Sequence, residues 1–225
     1  MSLSSDVVEA SGVHSASVIL LHSVGDKYQE WVPVAQQLAL GLPHVKFILP
    51  TAPERPVTMS GGFSSSSWYD IKSLDKFTSN SDRAGMKASM IKINELIKSE
   101  IDSGIPANRI VLGGFSQGGA MTLFTGLQSE HQLAGLAVLN GYLPVRYRLM
   151  AKATKASKGA PIFLAHGALD IVVPYKHGEK ARKVLEKKGY SVKFHSYGPL
   201  YSAAGDEEVL AFQAFLKKAL PERVN

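Results

Sequence analysis

The chain has 225 residues, a formal net charge of +6 and no cysteine. The absence of cysteine excludes disulfides, thiolate metal ligands, cysteine nucleophiles and S-acylation. Its composition is 45% hydrophobic and 20% charged, an ordinary globular balance. No apolar run is long enough for a membrane span, and the first residues lack the regions of a secretory signal. These observations favour a cytoplasmic protein with a single domain over residues 1–225.

Short apolar runs alternate with helical patterns after an N-terminal segment, 1–14, that is expected to be irregular. Apolar residues recur at spacings of three and four near 86–101 and 209–220, which predicts two amphipathic helices. Asp206, Glu207 and Glu208 would place negative charge on the first turn of the second helix, as the helix dipole prefers. The alternation predicts an α/β fold, with a mostly parallel central sheet and helices on both faces. The predicted strands are 16–21, 45–49, 109–112, 133–139, 161–165 and 190–197.

Residues 54–82 interrupt this alternation with a stretch rich in Ser, Pro and Gly. So long an irregular stretch inside a compact domain is usually functional or mobile. We expect it to form part of the rim of a site, where Phe63 and other apolar side chains could contact a membrane surface. The alternative is that these side chains only anchor the loop to the core.

Positive charge is concentrated late in the chain, over 146–158 and 176–188. Such clusters attract anionic membranes or nucleic acid, or they are solvated helix faces. Glu179 and Glu186 interrupt the second cluster, and no nucleic-acid-binding motif accompanies either one. We therefore favour solvated faces and predict no nucleic-acid partner.

The strongest chemical signal is the stretch GGFSQGGA, in which Ser116 lies between a strand-like run and a helix-like run. The pattern G-x-S-x-G places a serine on a tight strand-to-helix turn, with Gly114 and Gly118 allowing close backbone approach. Ser116 is thus the candidate nucleophile. The amide of Gln117, at the start of the helix, is a candidate donor to an oxyanion.

Two further parts of a hydrolytic site follow the first and fifth predicted strands. The loop 22–26 after the first strand offers the Val24 amide as a second oxyanion donor. Asp170 follows the strand 161–165, and the chain order of serine before aspartate is that of α/β-hydrolases. An aspartate alone is more often a helix cap, but with Ser116 upstream the catalytic interpretation is favoured.

The chain resembles the acyl-protein thioesterase, lysophospholipase and carboxylesterase family of α/β-hydrolases over nearly its whole length. The resemblance implies an α/β-hydrolase fold, a nucleophile at Ser116, an acid at Asp170 and hydrolysis of acyl esters, thioesters or lysophospholipid-like molecules. It implies neither cofactor nor metal, and a lipidated protein or a membrane surface as partner. The motifs that carry it are LLHSVGD, PTAP, RPVT, SWYD, GIP, NRI, GGFSQGGA, LAG, GYLP and HGALDIVVP.

The sequence departs from the family where the triad histidine should stand. The family has a segment like GMGHS before the last helix, whereas this chain has YGPLYSAAGD. An ungapped alignment from 194 to 215 puts Ser202 at the histidine's position, and a slip of one residue puts Tyr201 there. A serine has no useful basicity, and a tyrosine with a pKa of ~10 is protonated at neutral pH. The candidate replacement is His195, inside the last strand; His22 and His166 are expected near the site but look structural.

A second departure is Ser23, because the family motif HGxGD has glycine at that position. A Cβ there obstructs backbone angles and close approaches that glycine permits, so Ser23 affects the expected oxyanion geometry. Near the site we also expect an apolar acyl channel, by resemblance and proximity. Its predicted lining, with Ser23 as a further contact, is Val24, Trp68, Tyr142, Leu143 and Val172.

Two classes of function therefore remain open from the sequence. The first is an esterase or thioesterase of the family, whose turnover is low without its histidine. The second is a catalytically impaired or repurposed protein that binds acyl ligands or a partner, or that performs non-hydrolytic chemistry in the same cleft. Removal of a triad histidine costs roughly 10⁶ in kcat but leaves about 10³–10⁴ over water.

Overall fold

The computed structural model describes residues 3–73, 82–198 and 206–223. The helices in these ranges are α1 (Val32–Ala39), α2 (Arg83–Asp102), α3 (Gln117–Gly126), α4 (Arg146–Met150), α5 (Lys176–Lys187) and α6 (Asp206–Ala219). The strands are β1 (Ser5–Val8), β2 (Ala16–Leu21), β3 (Val45–Pro50), β4 (Glu54–Pro56), β5 (Ser64–Ser66), β6 (Ile110–Phe115), β7 (Gly135–Leu139), β8 (Ile162–Gly167) and β9 (Val192–Tyr197).

Seven of these strands form one sheet in the order β1-β3-β2-β6-β7-β8-β9. β1 pairs antiparallel with β3, and the other neighbours are parallel. The predicted α/β-hydrolase class with a mostly parallel sheet is confirmed. Because parallel strands share one direction, β2, β6 and β8 all end at the same edge, and the loops that follow them meet there.

Helices cover both faces of the sheet, and each face has its own apolar core. One core joins the sheet to α2, α3 and α5 through residues such as Met86, Ile93 and Leu185. The other joins it to α1 and α6, where Phe212 and Leu216 are fully buried. Burying one such side chain contributes about 1.5–3 kcal/mol, so the apolar stripes of the two predicted helices hold the layers together.

Several short elements were not predicted. The expectation of an irregular segment over 1–14 missed β1, whose residues are exposed or half-buried and form no apolar run. The stretch 54–82 contains the two-stranded sheet β4–β5, and residues 74–81 of it lie outside the described ranges. No helix in the described part of the chain is both long and apolar enough to cross a bilayer.

Candidate active site

Ser116 occupies the single residue between β6 and α3, at the edge of the sheet where the parallel strands end. Its backbone angles are φ 51° and ψ −110°, a conformation that costs a non-glycine residue energy and that clusters at functional sites. Its amide donates to the Leu139 carbonyl at 2.8 Å, which fixes the turn to the neighbouring strand β7. Ser116 is 9% exposed. The turn therefore holds the serine in a strained backbone conformation at the edge of the sheet where the parallel strands end.

The two glycines of the motif are required by close backbone packing. A Cβ on Gly114 would lie 2.5 Å from the Gly118 carbonyl carbon. A Cβ on Gly118 would lie 2.1 Å from the Leu21 carbonyl oxygen, at the end of β2. Backbone cannot yield as a flexible side chain can, so both positions admit only glycine while the turn keeps this geometry.

Gly118→Ala is expected to destabilise the protein by roughly 3 kcal/mol, because its methyl group forces the start of α3 away from β2. The measurement is the urea midpoint of unfolding. Gly198→Ala is the matched control, since a Cβ there meets no atom of the described residues within 4 Å, and it should leave the midpoint unchanged. An unchanged midpoint for Gly118→Ala would contradict this packing.

The side chain of Gln117 ties the serine turn to the segment after β5. Its Oε1 accepts from the Trp68 amide at 2.9 Å, and its Nε2 donates to the Tyr69 carbonyl at 2.7 Å and to Ser67 Oγ at 2.9 Å. The Gln117 amide itself is at the first position of α3, where backbone N–H groups have no partner within the helix. The sequence indicated only the amide; the side-chain clamp could not be seen without the fold.

His22 fixes the conformation of the loop 22–26, which contains Ser23. His22 Nδ1 donates to the Ser23 carbonyl at 2.5 Å, and its Nε2 accepts from the Ala52 amide at 2.9 Å. Ser23 is not among the described non-glycine residues with positive φ. The glycine-only backbone that the family motif suggested is therefore not required at Ser23, and within the described residues no group accepts from the Val24 amide.

Asp170 lies in the loop after β8 and is 7% exposed. Its Oδ1 accepts two backbone amides, from Val172 and Val173, each at 2.8 Å. Its Oδ2 receives no hydrogen bond from a described group, and the nearest cationic candidate, His166 Nε2, is 3.8 Å away. One oxygen of Asp170 thus fixes the loop while the other is available to the site.

His166 and His195 both have surroundings that keep them from acting on Ser116. His166 Nε2 donates to the Val173 carbonyl at 2.7 Å, and burial lowers its pKa. His195 lies in β9, and its ring packs against Phe163 and Tyr197 on the sheet face covered by α6. His195 pairs in register with Ala165 of β8. Its own strand, β9, lies three strand spacings from β6, or roughly 14 Å. The structure therefore gives no support to His195 as a replacement for the triad base.

Tyr201 and Ser202, at the position of the missing histidine, lie outside the described residues. What is described on either side are the end of β9 at Tyr197 and the start of α6. The end of β9 is close to the Asp170 loop, since the Ala168 amide donates to the Tyr197 carbonyl at 3.0 Å. The predicted place of Ser202 beside Asp170 stays a prediction.

Three of the residues predicted to line an acyl channel lie in the interior. Trp68, Tyr142 and Leu143 are almost fully buried in the core between the sheet and α2 and α3. The Trp68 indole donates to the His22 carbonyl at 2.9 Å, and Tyr142 meets Tyr69 through its hydroxyl. These three side chains pack in the core, and their part in lining an acyl channel stays a prediction. The sequence could not separate the two roles, because both use large apolar residues.

Exposed apolar side chains are found instead on the loops around the strand edge. Val172 is 41% exposed, and its neighbours Leu169 and Ile171 are more exposed still. Phe63, on the loop between β4 and β5, is also largely exposed. Acyl chains are apolar, so these loops offer the kind of surface that such a substrate requires.

Comparison with known proteins places the chain in a family. The model of the phospholipase/carboxylesterase family matches residues 3–220. An acyl-protein thioesterase 1 of Neurospora crassa is 42% identical, over 96% of this chain and 91% of that protein. One from Yarrowia lipolytica is 38% identical over 96% of each chain. The crystal structure of Zea mays acyl-protein thioesterase 2 is 32% identical, with a TM-score of 0.85 over 96% of this chain and 99% of that one. The chain therefore belongs to the phospholipase/carboxylesterase family of α/β-hydrolases.

Proposed function

We propose that this protein hydrolyses acyl thioesters and carboxylic esters through a covalent intermediate on Ser116, with Asp170 as the acidic member of the site. The observation that carries the proposal is the strained backbone of Ser116 between β6 and α3. Such a turn has no structural purpose that an ordinary loop would not serve, whereas it exposes a hydroxyl beside the unpaired amides of a helix start.

In the proposed reaction, Ser116 Oγ attacks the acyl carbon as its proton leaves toward the Asp170 side of the site. The amides of Gln117 and Val24 donate to the oxyanion of the tetrahedral intermediate. Collapse of the intermediate expels the thiolate or alkoxide, which takes up the proton. Water then attacks the acyl-serine, releases the fatty acid and returns a proton to Ser116 Oγ.

The proposed substrates follow from the relatives and from the loop surface. Both curated relatives above are named acyl-protein thioesterases, and the site loops of this chain carry exposed apolar side chains such as Val172 and Phe63. We therefore expect an acyl thioester on a lipidated protein, or a lysophospholipid-like ester, as substrate. Turnover is expected to be low, because the three candidate histidines, His22, His166 and His195, are all engaged by other groups.

A binding function without turnover is the second candidate, and the same observation about the histidines favours it. A binding protein would use the same cleft and the same exposed apolar loops, but it would not hydrolyse the ligand. The two candidates therefore differ in whether the hydroxyl of Ser116 reacts.

Ser116→Ala is expected to lower hydrolysis of a long-chain acyl thioester to the rate in buffer, at least about tenfold below the unmodified chain. Thiol release measures it directly. Ser191→Ala removes an exposed serine just before β9 and should change nothing. Equal rates for the unmodified chain and Ser116→Ala would establish the binding function instead.

A further inference from the structure

The residue that follows β7 shares two unusual features with Ser116, which follows β6. Phe115 pairs in register with Leu139, so Ser116 and Asn140 are the next residues on two neighbouring strands. Both are buried, and both have positive φ, 51° for Ser116 and 48° for Asn140. Backbone strain of this kind clusters at functional sites, and asparagine is among the few residues that adopt positive φ readily. The reaction described above gives Asn140 no role.

The side chain of Asn140 connects β7 to the loop that carries Asp170. Its Oδ1 accepts from the Gly167 amide at 2.9 Å, at the end of β8. A backbone N–H can only donate, so the amide atom that faces Gly167 must be the oxygen. The Gly167 carbonyl in turn accepts from the Asp170 amide at 3.2 Å. Asn140 therefore binds the residue from which the turn of Asp170 begins.

The backbone of Asn140 is fixed to the nucleophile on its other side. The Ser116 amide donates to the Leu139 carbonyl at 2.8 Å, and that carbonyl belongs to the same peptide unit as the Asn140 amide. The Asn140 amide donates to the Ala165 carbonyl of β8, also at 2.8 Å. A continuous path of hydrogen bonds thus leads from the strained serine through Asn140 to the end of β8.

The other described hydrogen bonds of the Asp170 loop lead away from Ser116. Asp170 Oδ1 accepts amides of its own loop, and the Ala168 amide binds the Tyr197 carbonyl on β9. None of these bonds reaches β6 or β7. The free end of the Asn140 amide adds no further anchor, since Nδ2 is buried without a hydrogen-bond partner among the described residues. The Oδ1 bond to Gly167 is therefore the side-chain link that can set the separation of acid and nucleophile.

We propose that Asn140 is a positioning residue of the site, which places Asp170 relative to Ser116 through the Gly167 amide. The inference rests on the proposed function of Ser116. A misplacement of about 1 Å between reacting groups can cost roughly 10² in rate, so loss of this link should slow the chemical step. Asn140 is 1% exposed, so a substrate does not reach it, and its binding should be unaffected.

Asn140→Gly is the most direct variant, because glycine keeps the positive φ without strain and only the side chain is lost. The measurement is the rate at which a fluorophosphonate labels Ser116, followed by intact mass over a range of probe concentrations. In this reaction Ser116 Oγ bonds to phosphorus, fluoride leaves with the bonding pair, and the serine proton leaves toward the Asp170 side.

For Asn140→Gly we expect the limiting rate at saturating probe to fall at least about tenfold below that of the unmodified chain. The half-saturating probe concentration should stay within about twofold, because binding is not altered. The matched control is Asn108→Gly, which changes an exposed asparagine just before β6, at the opposite edge of the sheet. It should keep both values of the unmodified chain.

A second background separates positioning from a general loss of structure. If Asn140 acts through Asp170, adding Asn140→Gly to Asp170→Asn should slow labelling by less than about twofold further, since the group that Asn140 places is already gone. The same slowing in both backgrounds would overturn this role. Labelling of Asp170→Asn as fast as that of the unmodified chain would overturn it as well.

Labelling of Asn140→Gly at the rate of the unmodified chain would overturn the role of Asn140 while leaving Ser116 as nucleophile. Equal labelling of Ser116→Ala and the unmodified chain would instead overturn the proposed function, so the two failures are distinguishable. One further measurement needs no variant: the Gly167 amide of the unmodified chain should exchange its hydrogen as slowly as the buried amides of β8. Exchange of Gly167 at the rate of an exposed loop amide would count against the link.

Discussion

Ser202→His is expected to raise kcat for acyl ester and thioester hydrolysis by at least about 10³, within the roughly 10⁶ that a triad histidine contributes. The alignment places Ser202 at the family's histidine, and the remaining parts of the site are already present. Ser116 has its strained turn, and the free Oδ2 of Asp170 can orient an imidazole in the tautomer that accepts the serine proton. The measurement is steady-state hydrolysis of a short-chain ester by both chains.

Two controls accompany this gain. Ser191→His adds an imidazole just before β9, far from the strand edge, and should leave kcat unchanged. Ser23→Gly added to Ser202→His should change kcat by less than about threefold, because the backbone of Ser23 is not in the left-handed region that only glycine adopts freely. If Ser202→His raised kcat only when Ser23→Gly was added, Ser23 would be shown to disturb the oxyanion donors.

Asp170→Asn in the Ser202→His chain is expected to lower kcat by about 10⁴. Asparagine can keep the two amide hydrogen bonds at its oxygen, so the loop after β8 retains its shape. Its NH₂ group, however, replaces the free Oδ2 and turns a hydrogen-bond acceptor into a donor. The imidazole then has neither an anionic partner nor the correct tautomer. The measurement is the same ester assay, with the pH optimum recorded for both chains.

The matched control is Asp102→Asn, which removes one partner of the exposed ion pair with Lys98 at the end of α2. Exposed pairs contribute little, so activity and stability should change by less than about 1 kcal/mol. If Asp170→Asn were as active as its parent, Asp170 would be a structural residue of its loop and not a member of the site.

The parts of the molecule that could be predicted are those whose local sequence pattern is typical of a single kind of structure. The apolar runs at 16–21 and 161–165 were predicted as strands because a parallel sheet covered on both faces buries nearly every side chain of its strands. The serine turn was predicted for a related reason: glycines on both sides of a serine, between a strand and a helix, are typical of this tight turn. Gly118 shows why, since its backbone touches the end of β2.

The remaining features depend on contacts between distant segments. β1 is an exposed edge strand with no apolar run, so only its partner β3 defines it. Trp68 is a core residue because Gln117 and His22 bind its backbone and its indole. Glu208 was predicted only as a negative charge on the first turn of a helix, and its burial follows from the packing of α6 against the sheet. Local patterns hold no information about such pairings.

The central claim, that Ser116 is an acylated nucleophile, is tested most directly by the intact mass of the protein during reaction with a long-chain acyl thioester. Samples quenched in acid within the first turnover should show a single added acyl group, and peptide mapping should locate it on Ser116. The added mass should be absent in Ser116→Ala and present in Ser191→Ala. Thiol release without any acylated protein, at equal rates in all three chains, would contradict the account.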